Sequence, residues 1–379
     1  MSIYLDNSAT TRPCDSAVEA MMHAMREDFY NPSALYAAAM GPEKMMKSCR
    51  EKILRSVHAK GGSRVVFLSG GTEADNLAIL GQQKKCRGQK VFYSAGEHPA
   101  VKEACQAMEE AEAVAIPYTR EGLVDVQALE QMLDERTALI CIMQVNNETG
   151  TIQPLQEIGQ LIRRLCPKAH FHVDGVQGYL RVPFDMQAVG ADSYALSGHK
   201  IHGPKGIGAL VMGPGVQLHP RQVGGGQENT IRSGTENTVG IAGLSAAIDA
   251  FPKEHTMQQV KMHLYEGLKE IIPGLSVNGP APDAAYAAPH ILNVSLPPVR
   301  SETMLHALEG KKIYVGIGSA CSSHKQKVSP VLRAMHVDQA AAESALRFSF
   351  CPENTIEEMN AVLEAVKGQY ALLSRFQRR

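Results

Sequence analysis

From about residue 65 the chain alternates short β-rich apolar runs with stretches of helical periodicity. "RVVFLSG" is followed by "TEADNLAILGQQKK", "KVFYSAG" by "EHPAVKEACQAMEEA", and "TALICIMQV" by "PLQEIGQLIRRLC" ahead of "HFHVDG". Strands alternating with helices predict an α/β architecture around a largely parallel sheet. Ligands of such sheets bind beyond the carboxyl ends of the strands, so the polar residues that follow each run are where chemistry is expected. The segment "MGPGVQLHPRQVGGGQENTIRSGTENT" interrupts this rhythm with glycine and proline, and a long helical stretch is expected from about 237 to 271. Beyond it, "SVNGPAPDAAYAAPHILNVSLPP" opens a smaller α+β region that closes on an amphipathic helix, "TIEEMNAVLEAVKGQYALL". The expected boundary falls near residue 255.

Composition narrows the class. A chain of 379 residues exceeds the usual size of one hydrophobic core, so two domains are expected. With 44% hydrophobic and 20% charged residues it reads as a globular protein rather than a disordered or membrane one. Its 38 basic residues balance 39 acidic ones, which removes any general electrostatic case for direct nucleic-acid or membrane contact. The start, "MSIYLDNSATT", lacks a basic region followed by an apolar one, and no apolar run approaches a membrane span, so a cytoplasmic location is expected. Eight cysteines contain no C-x-x-C pair and no Cys/His cluster at ligand spacing, so neither a disulfide framework nor a metal site is expected.

Several strand ends carry candidate chemistry. In "FLSGGTEADN" the turn Ser69, Gly70, Gly71, Thr72 enters a helix. Alone it reads first as a capped helix with Thr72 at the N-cap, and it also offers free N–H groups and a helix dipole suited to a phosphate. It matches neither G-x-x-x-x-G-K-[ST] nor G-x-G-x-x-G. "HFHVDGVQG" ends a strand in Asp174, with Gln177 three residues on, and "YALSGHKIHGPKG" ends another in Ser197, His199 and Lys200. Asp174 alone could cap a helix, and Lys200 alone could be solvated. Together with the glycine turn they supply what pyridoxal 5'-phosphate requires: donors for the phosphate, an acid partner for the ring nitrogen and an amine for the aldehyde. His98 in "SAGEHPA" could lie flat over the ring. Separately, "VGIGSACSSHKQ" sets Cys321 among small residues with Lys325 and Lys327 behind it, where nearby cations would favour the thiolate.

Read in order, "YLDNSATT", "NPS", "SGGTEADN", "GEHPA", "VNNETG", "HVDGVQ", "SGHKIHGPKGIGAL", "GGGQE", "RSGTEN", "GSACSS" and "LRFSF" make the chain resemble the NifS/IscS-like cysteine desulfurases nearly end to end. That group lies within class V of the fold-type I pyridoxal phosphate enzymes. The resemblance implies a large domain, 13–255, built on a mostly parallel seven-stranded sheet. It also implies a smaller α+β domain, 1–12 with 256–379, carrying a mobile cysteine loop at about 316–328. It further implies that Lys200 bonds the cofactor aldehyde, Asp174 pairs with the ring nitrogen, and His98 stacks on the ring and assists proton transfer. Asn147 and Gln177 would lie near the phenolic oxygen. Gly71, Thr72, Ser197 and His199 would hold the phosphate, and Thr235 would reach the phosphate of the other subunit of a homodimer. Arg347 would clamp the carboxylate of L-cysteine, and Cys321 would accept its sulfur as a persulfide for a sulfur-acceptor protein.

The chain departs from the group at Tyr36 in "NPSALYAAAMG", at Gly175 where alanine is commoner, and at Gln227. Its end at "LLSRFQRR" favours a tRNA sulfurtransferase or thiamine-pathway acceptor over an iron–sulfur scaffold. The competing readings are a selenocysteine lyase or class V aminotransferase on the same fold, and a catalytically silent dimeric scaffold.

Overall fold

The structure is a computed structural model that describes residues 2–318 and 328–375, so Cys321, Lys325 and Lys327 lie outside the described residues. Seven strands form the main sheet. In spatial order they are Arg64–Leu68, Gly208–Met212, Ser193–Ser197, His170–Asp174, Thr137–Met143, Lys90–Ser94 and Glu112–Ile116. Only Gly208–Met212 runs antiparallel to both its neighbours, and the remaining pairings are parallel. The apolar runs form these strands because helices cover both faces of the sheet. Every position of Ser193–Ser197 and of Gly208–Met212 is buried, as expected of central strands in such a sandwich.

Two helical expectations change. The stretch from 237 to 271 is two helices, Thr238–Ala250 and Met257–Ile271. Pro252 disfavours helical geometry at the residue before it, and Phe251 accordingly sits at φ −66°, ψ 122°. The helix in "EHPAVKEACQAMEEA" ends at Gln106. Glu110 then turns the chain at φ 60° into the edge strand Glu112–Ile116.

A second, three-stranded antiparallel sheet orders Ala345–Ser349, Ile291–Ser295 and Ser276–Val277. The start of the chain joins this region: Ile3–Tyr4 pairs in parallel with Ile313–Tyr314, and Asp6 bridges to Ser349. Ile3 and Leu5 share an apolar cluster with Met257, Leu264, Leu292 and Phe348. The final helix, Ile356–Leu373, opens on a capping box of Thr355 and Glu358.

Gly175 has a local cause. A Cβ there would stand 1.9 Å from Cζ of Tyr194, whose hydroxyl donates to Gln144 Oε1 at 2.7 Å. The tyrosine ring fills the space an alanine methyl would need, so glycine at 175 and tyrosine at 194 form a matched pair. Gly175→Ala is expected to cost about 1–3 kcal/mol through overpacking. Gly61→Ala, where a Cβ meets nothing within 4 Å, should leave stability unchanged or slightly raised. Thermal unfolding of the two variants checks this, and equal midpoints would contradict the packing account.

Candidate active site

The carboxyl ends of the parallel strands converge on a cavity of about 300 Å³. Its walls include Gly71, Thr72, His98, Asn147, Asp174 and Gln177, and also Ser197, His199, Lys200 and Arg347. Residues spread over 277 positions of sequence thus meet in one place: most follow a strand or turn ending on the same edge, and Arg347 reaches it from the strand Ala345–Ser349 of the second sheet. Thr235 is not brought there within one chain. It lines a separate depression with Glu228, Arg232 and Asn237.

The glycine turn enters the helix Gly71–Leu80, whose N-cap is Gly70 with no side-chain cap. Thr72 is therefore inside the first turn rather than at the cap, and the first N–H groups have no intrahelical acceptor. A Cβ on Gly71 would lie 2.5 Å from Cγ2 of Val176, which keeps this backbone close to the cavity floor.

Lys200 sits in a single helical turn, Gly198–Lys200, directly after the strand Ser193–Ser197. Its Nζ donates to the carbonyl oxygens of Ser8 and of Ala9, the latter at 2.8 Å, and its own carbonyl accepts from Arg181. Burial first, then the charges of Arg181 and Arg347, bring the amine down to about 7. Asp174 ends its strand with Oδ1 accepting from the Val176 N–H at 2.9 Å. Burial raises its carboxyl, and the Val176 N–H, His98 and Lys200 oppose that rise.

His98 caps the helix Pro99–Gln106, its Nδ1 accepting from the Ala100 N–H at 3.1 Å. Burial lowers its ordinary value, so the neutral ring carries its proton on Nε2. His199 is bonded through Nδ1 to Thr10 Oγ1 at 3.1 Å, and burial brings it down to about 4. Gln177 donates to Ser8 O at 2.9 Å and accepts from Arg181 Nη1 at 3.0 Å.

Arg347 lies in the strand Ala345–Ser349, opposite Asn293 and bridged to Gly316. Its Nη1 donates to Asn147 O at 2.9 Å and its Nη2 to Asp6 Oδ1 at 2.7 Å. A Cβ on Gly316 would come within 2.8 Å of Nη2.

The cavity also holds acidic groups that the strand-end reasoning passed over. Glu97 accepts from Ser94 Oγ at 2.6 Å and from the Met143 N–H at 2.7 Å, both through Oε1. Glu148 accepts from Ser329 Oγ at 2.5 Å. Asp75 ends a buried chain of hydrogen bonds that fixes every ring proton along it. Gln82 Nε2 can only donate, here to His170 Nδ1 at 3.1 Å. His170 Nε2 then donates to Ser193 Oγ at 2.7 Å, and Ser193 donates to His172 Nδ1 at 2.8 Å. His172 Nε2 donates to Asp75 Oδ1 at 3.1 Å. Burial brings both histidines down to about 3, so the chain is neutral. Burial and then the charge of Asp174 push Asp75 well up. The signal for these residues was present as the acidic positions within "GEHPA", "VNNETG" and "SGGTEADN".

The cavity fits a phosphorylated, aldehyde-bearing ring cofactor. It combines an amine of lowered basicity, a buried carboxyl and an uncapped helix start. Three of its wall residues also have buried polar atoms without a partner among the described residues: Ser8 Oγ, Glu97 Oε2 and Arg347 Nε. Buried polar atoms of this kind ordinarily have partners, and a polar ligand would supply them.

Comparison with known proteins agrees. The family model described as aminotransferase class-V matches residues 3–362. A cysteine desulfurase of Gluconacetobacter diazotrophicus is 37% identical over 98% of this chain and 94% of its own. Among solved structures, a NifS-like protein superposes with a TM-score of 0.90 at 32% identity, covering 98% of this chain and 100% of its own. A structure titled as SspA in complex with cysteine superposes with a TM-score of 0.82 at 30% identity, covering 93% and 100%. With a matching model that spans nearly the whole chain and a relative that shares its length, the chain belongs to the class-V aminotransferase family.

Proposed function

We propose that this chain is a pyridoxal phosphate-dependent cysteine desulfurase: it converts L-cysteine to L-alanine, takes the sulfur onto Cys321 as a persulfide, and passes it to an acceptor protein. The observation that carries the reading is Lys200, an amine brought down to about 7 in a cavity that also holds Asp174, His98 and Arg347. The cysteine desulfurase and the cysteine-bound structure among its relatives support the substrate.

When bound, pyridoxal phosphate supplies an aldehyde that condenses with amines and a ring that accepts electrons. The rest falls to the chain. Lys200, half neutral near pH 7, is available as nucleophile and as base without a large proton-transfer penalty. Asp174 would pair with the ring nitrogen, and the N–H groups of Gly71 and Thr72 with Ser197 and His199 would hold the phosphate. Asn147 and Gln177 would lie near the phenolic oxygen. His98, with its proton held on Nε2, would stack on the ring and move a proton at that nitrogen. Arg347 retains Nε–H for the substrate carboxylate while Asp6 and Asn147 O fix its other end.

Cys321 lies outside the described residues, but Gly318, three residues before it, and Val331 both line the cavity. Three extended residues span at most about 10 Å, and this closeness in sequence supports Cys321 as the sulfur acceptor.

A homodimer is supported by Val18, Met22 and Met25, spaced along one helical face, and by Phe29, Leu35 and Tyr36 beyond it, all exposed. Thr235 is assigned to the partner's phosphate in that dimer. The division into 13–255 and 1–12 with 256–379 is supported by the apolar cluster that joins Ile3 and Leu5 to residues from Met257 onward. The acceptor is a scaffold or a tRNA sulfurtransferase, reached without direct nucleic-acid contact. The unpaired thiols among the described cysteines support a reducing compartment, the cytoplasm. Among the described residues no helix is long and apolar enough to cross a membrane.

Variants and a titration of Lys200 test the reading. Lys200→Ala should lose the visible absorption of the bound cofactor, whereas Cys321→Ala should keep it and release no sulfur from L-cysteine. Sulfur release undiminished in Cys321→Ala would sink the mechanism. In cofactor-free protein, acetylation of Lys200 followed by mass spectrometry across a pH series should rise with a midpoint near 7, because only the neutral amine reacts. Arg181→Gln removes the larger of the two charges lowering it and should move that midpoint upward. A midpoint near the ordinary 10.5 in the parent protein would contradict the site's electrostatics.

A further inference from the structure

Behind the cavity, three side chains from distant parts of the sequence converge: His202, two residues past Lys200, and Cys351 and Glu353, just past Arg347. His202 Nε2, Cys351 Sγ and a Glu353 carboxylate oxygen all lie within 4.8 Å of one another, with His202 Nε2 3.7 Å from Glu353 Oε2. Around a tetrahedral ion with bonds of about 2.0–2.3 Å, neighbouring ligand atoms stand roughly 3.3–3.8 Å apart. Small side-chain movements close this triangle.

The histidine is prepared for such a role. Its Nδ1–H donates to the Arg12 carbonyl at 2.9 Å, which leaves the Nε2 lone pair facing Cys351 and Glu353. Metal-bound histidines characteristically donate their second ring N–H to a carbonyl or carboxylate in this way. The backbone at His202 is also in the left-handed region at φ 63°, a conformation that costs a non-glycine residue energy and gathers at functional positions. Glu353 is two-thirds exposed and gives an ion a way in, while the His202 side chain is only 11% exposed.

We propose that His202 Nε2, Cys351 Sγ and Glu353 Oε2 form a three-ligand site for a borderline-soft divalent ion of the Zn²⁺ type, with water completing the tetrahedron. Imidazole, thiolate and carboxylate together favour such an ion over magnesium or calcium. On binding, the Cys351 S–H bond breaks, its proton leaves to water and an S–Zn bond forms, with no change of oxidation state. The thiol at present donates to Asn354 Oδ1 at 3.4 Å, and that oxygen keeps its bond from the Cys351 N–H at 2.9 Å, so ligation orphans no buried group. Occupation would clamp the turn that carries Lys200 to the segment that follows Arg347.

The test is equilibrium dialysis of the holoenzyme against ZnCl₂ in a Cys321→Ser background, which removes a second thiol that could capture the metal. The expected result is one Zn²⁺ per chain and a raised thermal midpoint. His202→Asn, whose side chain tolerates the left-handed backbone, and Cys351→Ser should each weaken binding at least about 10-fold. Glu353→Gln, on the surface and no threat to folding, should weaken it as well, and retained cofactor absorption shows that each variant is folded. Failure of the Cys321→Ser parent to take up stoichiometric Zn²⁺ would overturn the proposal, as would unchanged affinity in folded Cys351→Ser and Glu353→Gln.

Discussion

The amine of Lys200 is held out of water against the carbonyl oxygens of Ser8 and Ala9, and much of the surrounding structure serves that placement. A buried ammonium is costly to desolvate, by several kcal/mol per ion, and two guanidinium groups nearby add to the cost. Arg181 and Arg347 push the proton off, and Asp6 and Asp174 hold it on. The N-terminal segment reaches the amine because Ile3–Tyr4 is pinned beside Ile313–Tyr314 and Asp6 bridges to Ser349. Arg181 closes the arrangement by donating to the carbonyls of Asn7 and Lys200 and to the side chain of Gln177.

The same edge of the sheet gathers carboxyl groups whose burial raises them, Asp174, Asp75 and Glu97 among them. They are kept there by directed hydrogen bonds. The run from Gln82 through His170, Ser193 and His172 spans the sheet's interior and ends on Asp75 as an acceptor. Glu97 is gripped through one oxygen and leaves the other without a partner among the described residues. Such a set of buried polar groups is stable only where each member is satisfied or awaits a ligand, which ties the cofactor's binding energy to the order of the cavity walls.

Much of this was legible in the sequence. The strand-end positions of Asp174, Ser197 and Lys200 followed from hydrophobic patterning, and the seven-stranded, mostly parallel sheet followed from the family resemblance. Other features depend on contacts that no local pattern encodes. The neutral chain from Gln82 to Asp75 joins residues on three elements and a turn. The accommodation of Gly175 rests on a tyrosine 19 residues away. His202 and Cys351 are separated by most of the second half of the chain, so a search for cysteine and histidine at short spacing passes over them. Pro252 was visible in the sequence, yet the helical periodicity on either side of it masked the break.

The account stands or falls on where the sulfur goes. Holoenzyme incubated with L-cysteine, alkylated and digested, should show by mass spectrometry one added sulfur atom on the peptide containing Cys321 and on no other cysteine peptide. Alanine produced with no sulfur on Cys321, or with the sulfur on Cys351 or Cys14 instead, would contradict it.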